Sequence, residues 1–320
     1  QPLGIPIGVI GEVMQRDNIL REDLKAKGVE VRFHPFLKGA DLNFFCQRGQ
    51  IDVGLSGDMP TIILAAECHI VIAGLAKQGF SEVVAKKDMQ ITELKGKRIG
   101  YPPNSNAHYA LLVALSSVGL KEPDVRMIPL DVNQMQEALH NGKIDAFSAW
   151  EPITTLARTK YKDFVVIHRA LNESFMYFSR AMLNRHPDIA HHIMASMLRA
   201  VGWMKKSENN LLEASRLAIE TGRPLLGWRA DLTADQIADI TNRDLLDLIR
   251  VPAIPEKDFM VDGPLRKEFE FLKITGNIPD SAKWEKVAAS LDRTIIREVV
   301  SKAEKYRIYE FDYELGGAKK

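Results

Sequence analysis

The chain has 320 residues, 46% of them apolar and 27% charged, and its 43 Lys and Arg nearly cancel its 42 Asp and Glu. That length and composition suit one large or two ordinary globular domains and exclude a disordered or fibrous chain. With a net charge near zero and no run of like charge, no nucleic-acid or membrane surface is expected, and a small neutral or zwitterionic partner fits better.

No apolar run approaches the 18 residues of a membrane span. Cys46 and Cys68 stand in no metal or redox spacing, which leaves a disulfide between them and two buried free thiols equally open. The first residue is Gln1 rather than Met, so removal of a signal peptide from a periplasmic or extracellular protein is expected.

For the first 180 residues short apolar runs alternate with helical patterns, the pattern of parallel βαβ units in an α/β fold. Strands are predicted at Ile5 to Ile10, Val29 to Phe33, Ile51 to Leu55, Ile70 to Ala76, Ser81 to Lys86, Arg98 to Tyr101, Val125 to Leu130, Ile144 to Ala149, Phe164 to His168 and Phe175 to Ala181. Helices are predicted near 12 to 26, 40 to 48, 60 to 67, 106 to 118, 133 to 141 and 152 to 159. Beyond His186-Pro187 the pattern turns helical. Ile189, Ile193, Met197, Val201 and Met204 form one apolar stripe, and further helices are expected at 208 to 221, 233 to 249, 263 to 275 and 282 to 303, separated by Gly-Arg-Pro, Val-Pro-Ala-Ile-Pro and Gly-Asn-Ile-Pro breaks.

The chain repeats itself. Residues 48 to 60, R-G-Q-I-D-V-G-L-S-G-D-M-P, are echoed by 141 to 152, N-G-K-I-D-A-F-S-A-W-E-P. Ile7-Gly8 is echoed by Ile99-Gly100, and Val31 to Pro35 by Val125 to Pro129, all at offsets of 92 to 94. Two similar βαβαβα halves are expected. In each corner the glycine, Gly49 or Gly142, suits the left-handed position after a helix, and the proline, Pro60 or Pro152, suits the first turn of the next one.

The residues between strand end and helix start, Ser56 to Met59 and Ser148 to Glu151, then lie at the carboxyl edge of a parallel sheet, where open α/β sheets bind ligands. Asp58 and Glu151 are acids at both corners; their alternative role is to complement helix dipoles. Pro102-Pro103-Asn104-Ser105-Asn106-Ala107-His108 runs from a strand into a helix, with Ser105 as N-cap, and such a helix start receives an anionic group. Its first-half counterpart is the loop Gly11-Glu12-Val13-Met14.

At this point the residues carry a resemblance. L-K-G-K-R-I-G-Y-P-P-N-S-N-A-H-Y-A-L-L-V-A-L-S-S-V-G-L (94 to 120) and the G-K-I-D-A-F-S-A-W-E-P corner resemble the second lobe of the periplasmic solute-binding proteins for nitrate, sulfonates, taurine and thiamine-precursor pyrimidines. G-Q-I-D-V-G-L-S-G-D-M-P resembles the first-lobe loop, and P-L-R-K-E-F-E-F-L-K-I-T-G-N-I-P the C-terminal helix of that family. The resemblance covers nearly the whole chain.

It implies a two-lobed type II periplasmic-binding-protein fold, each lobe a mixed, mostly parallel sheet flanked by helices. Lobe one would comprise 1-80 and 186-320, with the helical C-terminal segment packing on it, and lobe two 81-185, with the ligand cleft between them. Such a protein closes over a small molecule and delivers it to an ABC permease in the membrane; a monomer without cofactor or bound metal is expected. By position the ligand would meet Gly57, Asp58 and Met59 from lobe one, Asn104, Ser105, Asn106 and His108 from the lobe-two helix start, and Trp150 and Glu151 from the repeated corner. Phe80 and Ser81 would lie at the hinge side. Pro102-Pro103-Asn104 departs from the small glycine or threonine common there in relatives, which argues against a simple sulfonate pocket.

The motif loops offer Glu12, Asp58, Asp131 and Glu151 but no Lys or Arg, so a bare inorganic anion would be poorly served. With Phe80 and Trp150, these acceptors suit a ligand bearing an amine or ring N–H donors and an anionic end at Ser105. Two alternatives stand beside this reading: a ligand-sensing domain of a membrane kinase or cyclase, and an enzyme on the same fold with His108 and Glu151 as acid/base pair. The pyrimidine-precursor synthases that resemble this fold would call for a cysteine-rich iron motif, which two separated cysteines cannot supply, and no G-x-S-x-G, P-loop or HExxH sequence is present. Asp188, His191 and His192 share metal-like helical spacing but read as a solvated face, and Met194, Met197 and Met204 read as core.

Overall fold

The computed structural model describes residues 4–36, 39–222, 232–245 and 253–315. Residues 246 to 249 of one predicted helix, Arg223-Pro224 of the Gly-Arg-Pro break and Val251-Pro252 lie outside them. The chain divides into two compact units. Unit 1 comprises Gln1–Gln78, Glu173–Phe269 and Ile278–Lys320, and unit 2 comprises Gly79–Asn172 and Glu270–Asn277. The observed divisions thus fall at 78/79 and 172/173, where boundaries at 80/81 and 185/186 were expected, and a C-terminal stretch joins unit 2. The later return was expected because the helical pattern begins near residue 186; Phe164 to His168 and Phe175 to Ala181, read as two strands, are one strand, β6 (Val165–Ser179), whose residues belong to both units. Ile70 to Ala76 and Ser81 to Lys86 fuse in the same way into β2 (Ile70–Ala85).

Unit 1 is mostly helical. It holds α1 (Ile7–Gln15), α2 (Asn18–Lys25), α3 (Gly39–Gln47), β1 (Val53–Gly57), α4 (Asp58–Glu67), α8 (Arg180–Arg185), α9 (Pro187–Lys206), α10 (Glu208–Gly222), α11 (Ala234–Asp244), the start of α12 (Pro264–Ile274), α13 (Trp284–Ala288) and α14 (Thr294–Ser301). β1 pairs antiparallel with β6, from Val53 opposite Phe178 to Gly57 opposite Ser174. The stripe Ile189, Ile193, Met197, Val201 and Met204 is buried as the spacing predicts, and α1, α2, α8, α10 and α14 pack against α9. The single predicted helix over 282 to 303 is two short ones, α13 and α14, with Leu291 bridging to Ile72 between them.

Two predicted strands are absent from unit 1. Ile5 to Ile10 enters α1, because Ile7, Ile10 and Met14, with Val9 and Val13, also satisfy the three-and-four spacing, and a six-residue apolar run does not separate the two states. Val29 to Phe33 keeps the alternation of a strand, with Val29, Val31 and Phe33 half-buried and Glu30 and Arg32 exposed, but makes no ladder. It lines a cavity of about 550 Å³ together with Val53 and Leu55 of β1, so its backbone is held away from the sheet. The expectation of two matching βαβαβα halves is corrected accordingly.

Unit 2 meets it better. Arg98–Tyr101 forms β3, Arg126–Pro129 β4 and Ala146–Trp150 β5. β3 runs parallel to both β4 and β5, and β5 pairs antiparallel with Ser81 to Ala85 of β2. α5 (Asn106–Ser117), α6 (Met135–His140) and α7 (Ile153–Lys160) connect them. The core gathers Val83, Ile99, Leu111, Leu115 and Ala146.

One buried ion pair ties the helices of unit 1. Arg199 of α9 donates through Nε and Nη2 to Asp17 Oδ2 at 2.9 and 2.8 Å and through Nη1 to the Tyr306 carbonyl at 2.8 Å. Asp17 in turn caps α2 by accepting from Leu20 N at 3.1 Å. Both side chains are fully buried, so removing one charge strands the other. Arg199→Met is expected to lower unfolding free energy by about 3–5 kcal/mol in urea denaturation. Adding Asp17→Asn should recover part of that loss, because no uncompensated charge then remains.

Candidate functional site

The repeated corner is built alike in both units. After α3, Gly49 has φ +68° and donates to Cys46 O, while Gln50 N donates to Phe45 O. After α6, Gly142 has φ +66° and donates to Leu139 O, while Lys143 N donates to Ala138 O. Both are paired closures of a helix end that require a left-handed residue, which glycine supplies at least cost. The strand that follows hands over to α4 in unit 1 and to α7 in unit 2, with Pro60 in the first turn of one and Pro152 as N-cap of the other.

The serines of the two corners behave differently. Ser148 Oγ donates to Ala107 O at 2.7 Å and holds the start of α5 against β5, whereas the buried Ser56 Oγ in unit 1 has no partner.

In unit 1 the corner leads to a group of carboxylates. Gly57 is the N-cap of α4, and the buried Asp58 accepts from Met59 N at 2.7 Å and from Glu173 N at 2.9 Å, clipping α4 to β6. Met59 is buried core. Around Asp58 stand three acids that the motif reading missed: Glu173 on β6, Asp258 in a 3₁₀ turn (Glu256–Phe259) and Glu268 on α12. All three are buried. Burial, and after it the charges of Asp258 and Asp58, push Glu173 up to about 8 against the opposing hydrogen bond from Gln78. Burial and the neighbouring Asp58 and Glu173 carry Glu268 well above the usual carboxylate range, and burial raises Asp258. The sequence signal was the motif P-L-R-K-E-F-E-F itself, which placed the helix but not which of its acids turns inward.

Glu12, expected in a loop at a strand edge, is instead inside α1, since the strand before it is a helix. Its carboxylate takes Arg16 at 2.8 Å and Thr221 Oγ1 at 2.9 Å.

In unit 2 the predicted helix start is present. Ser105 caps α5 by accepting from His108 N at 3.2 Å, and its own hydroxyl donates to Pro102 O at 2.6 Å. Asn104 has φ +59°, an uncommon backbone for a residue with a side chain, and this turn aims its N–H at His108 Nδ1, 3.3 Å away. Because Nδ1 accepts, the ring proton sits on Nε2, which is buried and has no partner. The ring lies between Tyr101 and Phe271, at 4.5 and 5.2 Å. Burial pushes His108 down to about 4, so it is neutral at ordinary pH.

The remaining predicted residues of unit 2 divide between structural contacts and exposed positions. Glu151 accepts from Thr155 N at 3.1 Å and Thr155 Oγ1 at 2.9 Å, and lies 4.0 Å from Arg158. Nothing joins it to His108, whose Nδ1 faces Asn104 and whose Nε2 is unpartnered, so the acid/base pair of the enzyme alternative is not assembled. Ser81 accepts from Asn172 Nδ2 at 3.0 Å. Trp150 is half-buried opposite Ser81 on β5, Phe80 is partly exposed, and Asp131 is exposed. The next residue along β2, the buried Glu82, takes Arg169 at 2.8 Å.

Asp188, His191 and His192 are paired with Lys27, Glu298 and Asp23 respectively, and among the described residues no cluster suits a metal ion. Cys46 and Cys68 are free thiols. Among the described residues no helix is long and apolar enough to cross a membrane.

A family model described as NMT1/THI5 like matches residues 24–210. The taurine-binding periplasmic protein of Escherichia coli is 33% identical over 145 residues, 44% of either chain. The chain spans about half the length of the curated relatives it matches. Among solved structures, the periplasmic aliphatic sulphonate binding protein of E. coli superposes with a TM-score of 0.69 over 87% of this chain and 88% of that one, at 17% identity. The alkanesulfonate-binding protein of Xanthomonas axonopodis pv. citri, solved with MOPS bound, superposes with a TM-score of 0.67 over 92% and 96%, also at 17% identity. Those likenesses concern the fold, which is the α/β fold of periplasmic binding proteins. The family match, which covers more than half of the residues, gives the lineage: the chain belongs to the NMT1/THI5-like family.

Proposed function

We propose that this chain is an extracytoplasmic solute-binding protein that takes up a small ligand with an anionic or acceptor end and an amine or ring N–H end, and passes it to an ABC permease. Its relatives in the family include a taurine-binding periplasmic protein, a ligand with one end of each kind. The observation that carries the reading is the start of α5. There the positive end of the dipole of a twelve-residue helix, capped by Ser105, favours an anion, and His108 holds a buried, unpartnered Nε2–H. A neutral donor of this kind binds a sulfonate, carboxylate or carbonyl oxygen without needing to be charged.

Thermal shift against taurine, ethanesulfonate, nitrate and an aminopyrimidine tests the reading. A true ligand at a hundred times its dissociation constant should add about 2.7 kcal/mol of stability. Asn106→Asp puts a negative charge on the first turn of α5, which suits the helix dipole but repels an anion, so the ligand-free midpoint should hold while affinity falls about tenfold or more. If that variant binds as tightly as the wild type, the anionic end does not sit at α5.

His108 makes a separate pH prediction. With its folded value near 4 and its ordinary value near 6.5, the unfolded chain takes up the proton first as pH falls. The stability His108 contributes is therefore present above about pH 6.5 and lost between there and pH 4. His108→Phe should keep the ring contacts with Tyr101 and Phe271 and flatten that part of the midpoint-against-pH curve. It should also weaken ligand binding by roughly tenfold through loss of one buried donor.

A further inference from the structure

We propose that the cavity beside β1 in unit 1 is a strand-binding slot, which takes an extended peptide strand supplied in trans, with a basic first residue and apolar residues after it. Its walls belong to unit 1 alone, and it is independent of the solute-binding reading above.

The internal repeat supplies the comparison. Val125 to Pro129 echoes Val31 to Pro35, and the corner that leads into β5 echoes the one that leads into β1. In unit 2 the strand between those two elements is β3, parallel to both β4 and β5. In unit 1 the corresponding pair, Val29 to Phe33 and β1, is separated by the cavity of about 550 Å³, which both of them line. A strand fills roughly 3.3 × 4.8 × 10 Å per residue, so a cavity of this size holds about three to four residues. β3 has four. The segment of unit 1 that echoes it, Ile7-Gly8, is part of α1.

Both walls present backbone without a ladder partner. Ser179 N donates to Asp52 O at 2.8 Å, which sets the phase of the ladder between β1 and β6, so the N–H and C=O groups of Val53 and Leu55 point away from β6. β1 is the edge strand of the sheet on that side. Across the cavity Val31, Arg32 and Phe33 make no main-chain hydrogen bond to another described residue. Leu55 is buried, and buried main-chain groups without partners are costly, so an added strand relieves both edges at once. Leu42 of α3 and Ile189 and Ile193 of α9 also line the cavity. A strand covered by helices in this way is a near-continuous apolar run.

Asp52 supplies the polar end. Its counterpart in the repeat, Asp145, holds the first residue of β3 by accepting from Arg98 N at 2.8 Å and from the Arg98 guanidinium at 2.9 and 3.1 Å. Each aspartate stands just before its strand. Asp52 lines the cavity and is exposed, with Arg185 3.8 Å away and Ser179 Oγ at 3.3 Å. The clamp that fastens β3 is therefore open to a basic residue at the start of an incoming strand.

Peptide binding to the folded chain tests the assignment, with the acetylated amide L-K-G-K-R-I-G-Y-P, the sequence of residues 94 to 102, as the probe. It is expected to bind, to raise the thermal midpoint and to slow amide hydrogen exchange at Val53 and Leu55. A version with proline in place of the isoleucine lacks a ladder N–H and should bind about tenfold more weakly or worse. Asp52→Asn should weaken the arginine peptide about tenfold through loss of a charge-assisted bond, keep its own midpoint without peptide, and leave unchanged the binding of a version with alanine in place of that arginine. The slot is overturned if the probe fails to bind at millimolar concentration, or binds without slowing exchange at those two amides. Equal binding of the proline version, or of the arginine peptide to Asp52→Asn, would overturn it too. Protection of Val53 and Leu55 by 1-anilinonaphthalene-8-sulfonate but not by the peptide would overturn it in favour of a small apolar ligand.

Discussion

Charge compensation inside unit 1 is the constraint on which the rest depends. A buried carboxylate is tolerable only with a partner, and Asp17 has one for each oxygen: a fully buried guanidinium on one and the cap of α2 on the other. Through Arg199 the same pair reaches the Tyr306 carbonyl, so a residue near position 17, one near 199 and one near 306 are held at a single point. The apolar face of α9 packs around that point. With the helical side of the unit so fixed, the loop ends near β1 can carry groups that do not stabilise the fold themselves.

Those groups follow opposite chemistry in the two units. At the carboxyl end of β1, acids meet acids: Glu268 lies against Asp58 and Asp258 against Glu173. At the start of α5, Ser105 caps the helix and the imidazole of His108 keeps a buried proton that points to no partner. Asn104, with its left-handed backbone, sets the tautomer that makes His108 a donor. Strain of that kind persists where the surroundings hold it, and it concentrates at sites that bind.

The repeated corner illustrates how far a motif carries. Gly49 and Gly142 were readable because a left-handed backbone leaves a residue-type signature, and both adopt it with matching hydrogen bonds. Ser105 was readable as a cap because the cap acts within three residues of itself. Glu12 was misplaced because its assignment depended on a strand at Ile5 to Ile10, where an apolar run fits either a strand or a helix. Asp58 and Glu151 were readable as corner acids, but only coordinates reveal that Asp58 clips α4 to β6 and that Glu151 caps its own helix and lies against Arg158. Glu173, Asp258 and Glu268 left no local trace, since nothing in the residues beside each one marks it as facing the others.

The sequence by itself determined what short-range physics decides: the helix stripes, the glycine closures, the cap at Ser105, the β3 strand, and a family resemblance carried by contiguous motifs. Tertiary structure alone decided which side chains lose their water and in whose company. Desolvation and pairing depend on groups brought from far along the chain, as Arg199 is to Asp17 and Glu268 to Asp58. No spacing rule encodes that distance. The same reason explains why Val29 to Phe33 alternates like a strand yet forms none: alternation is local, but a ladder needs a neighbour within hydrogen-bonding reach, and in unit 1 a cavity lies there instead.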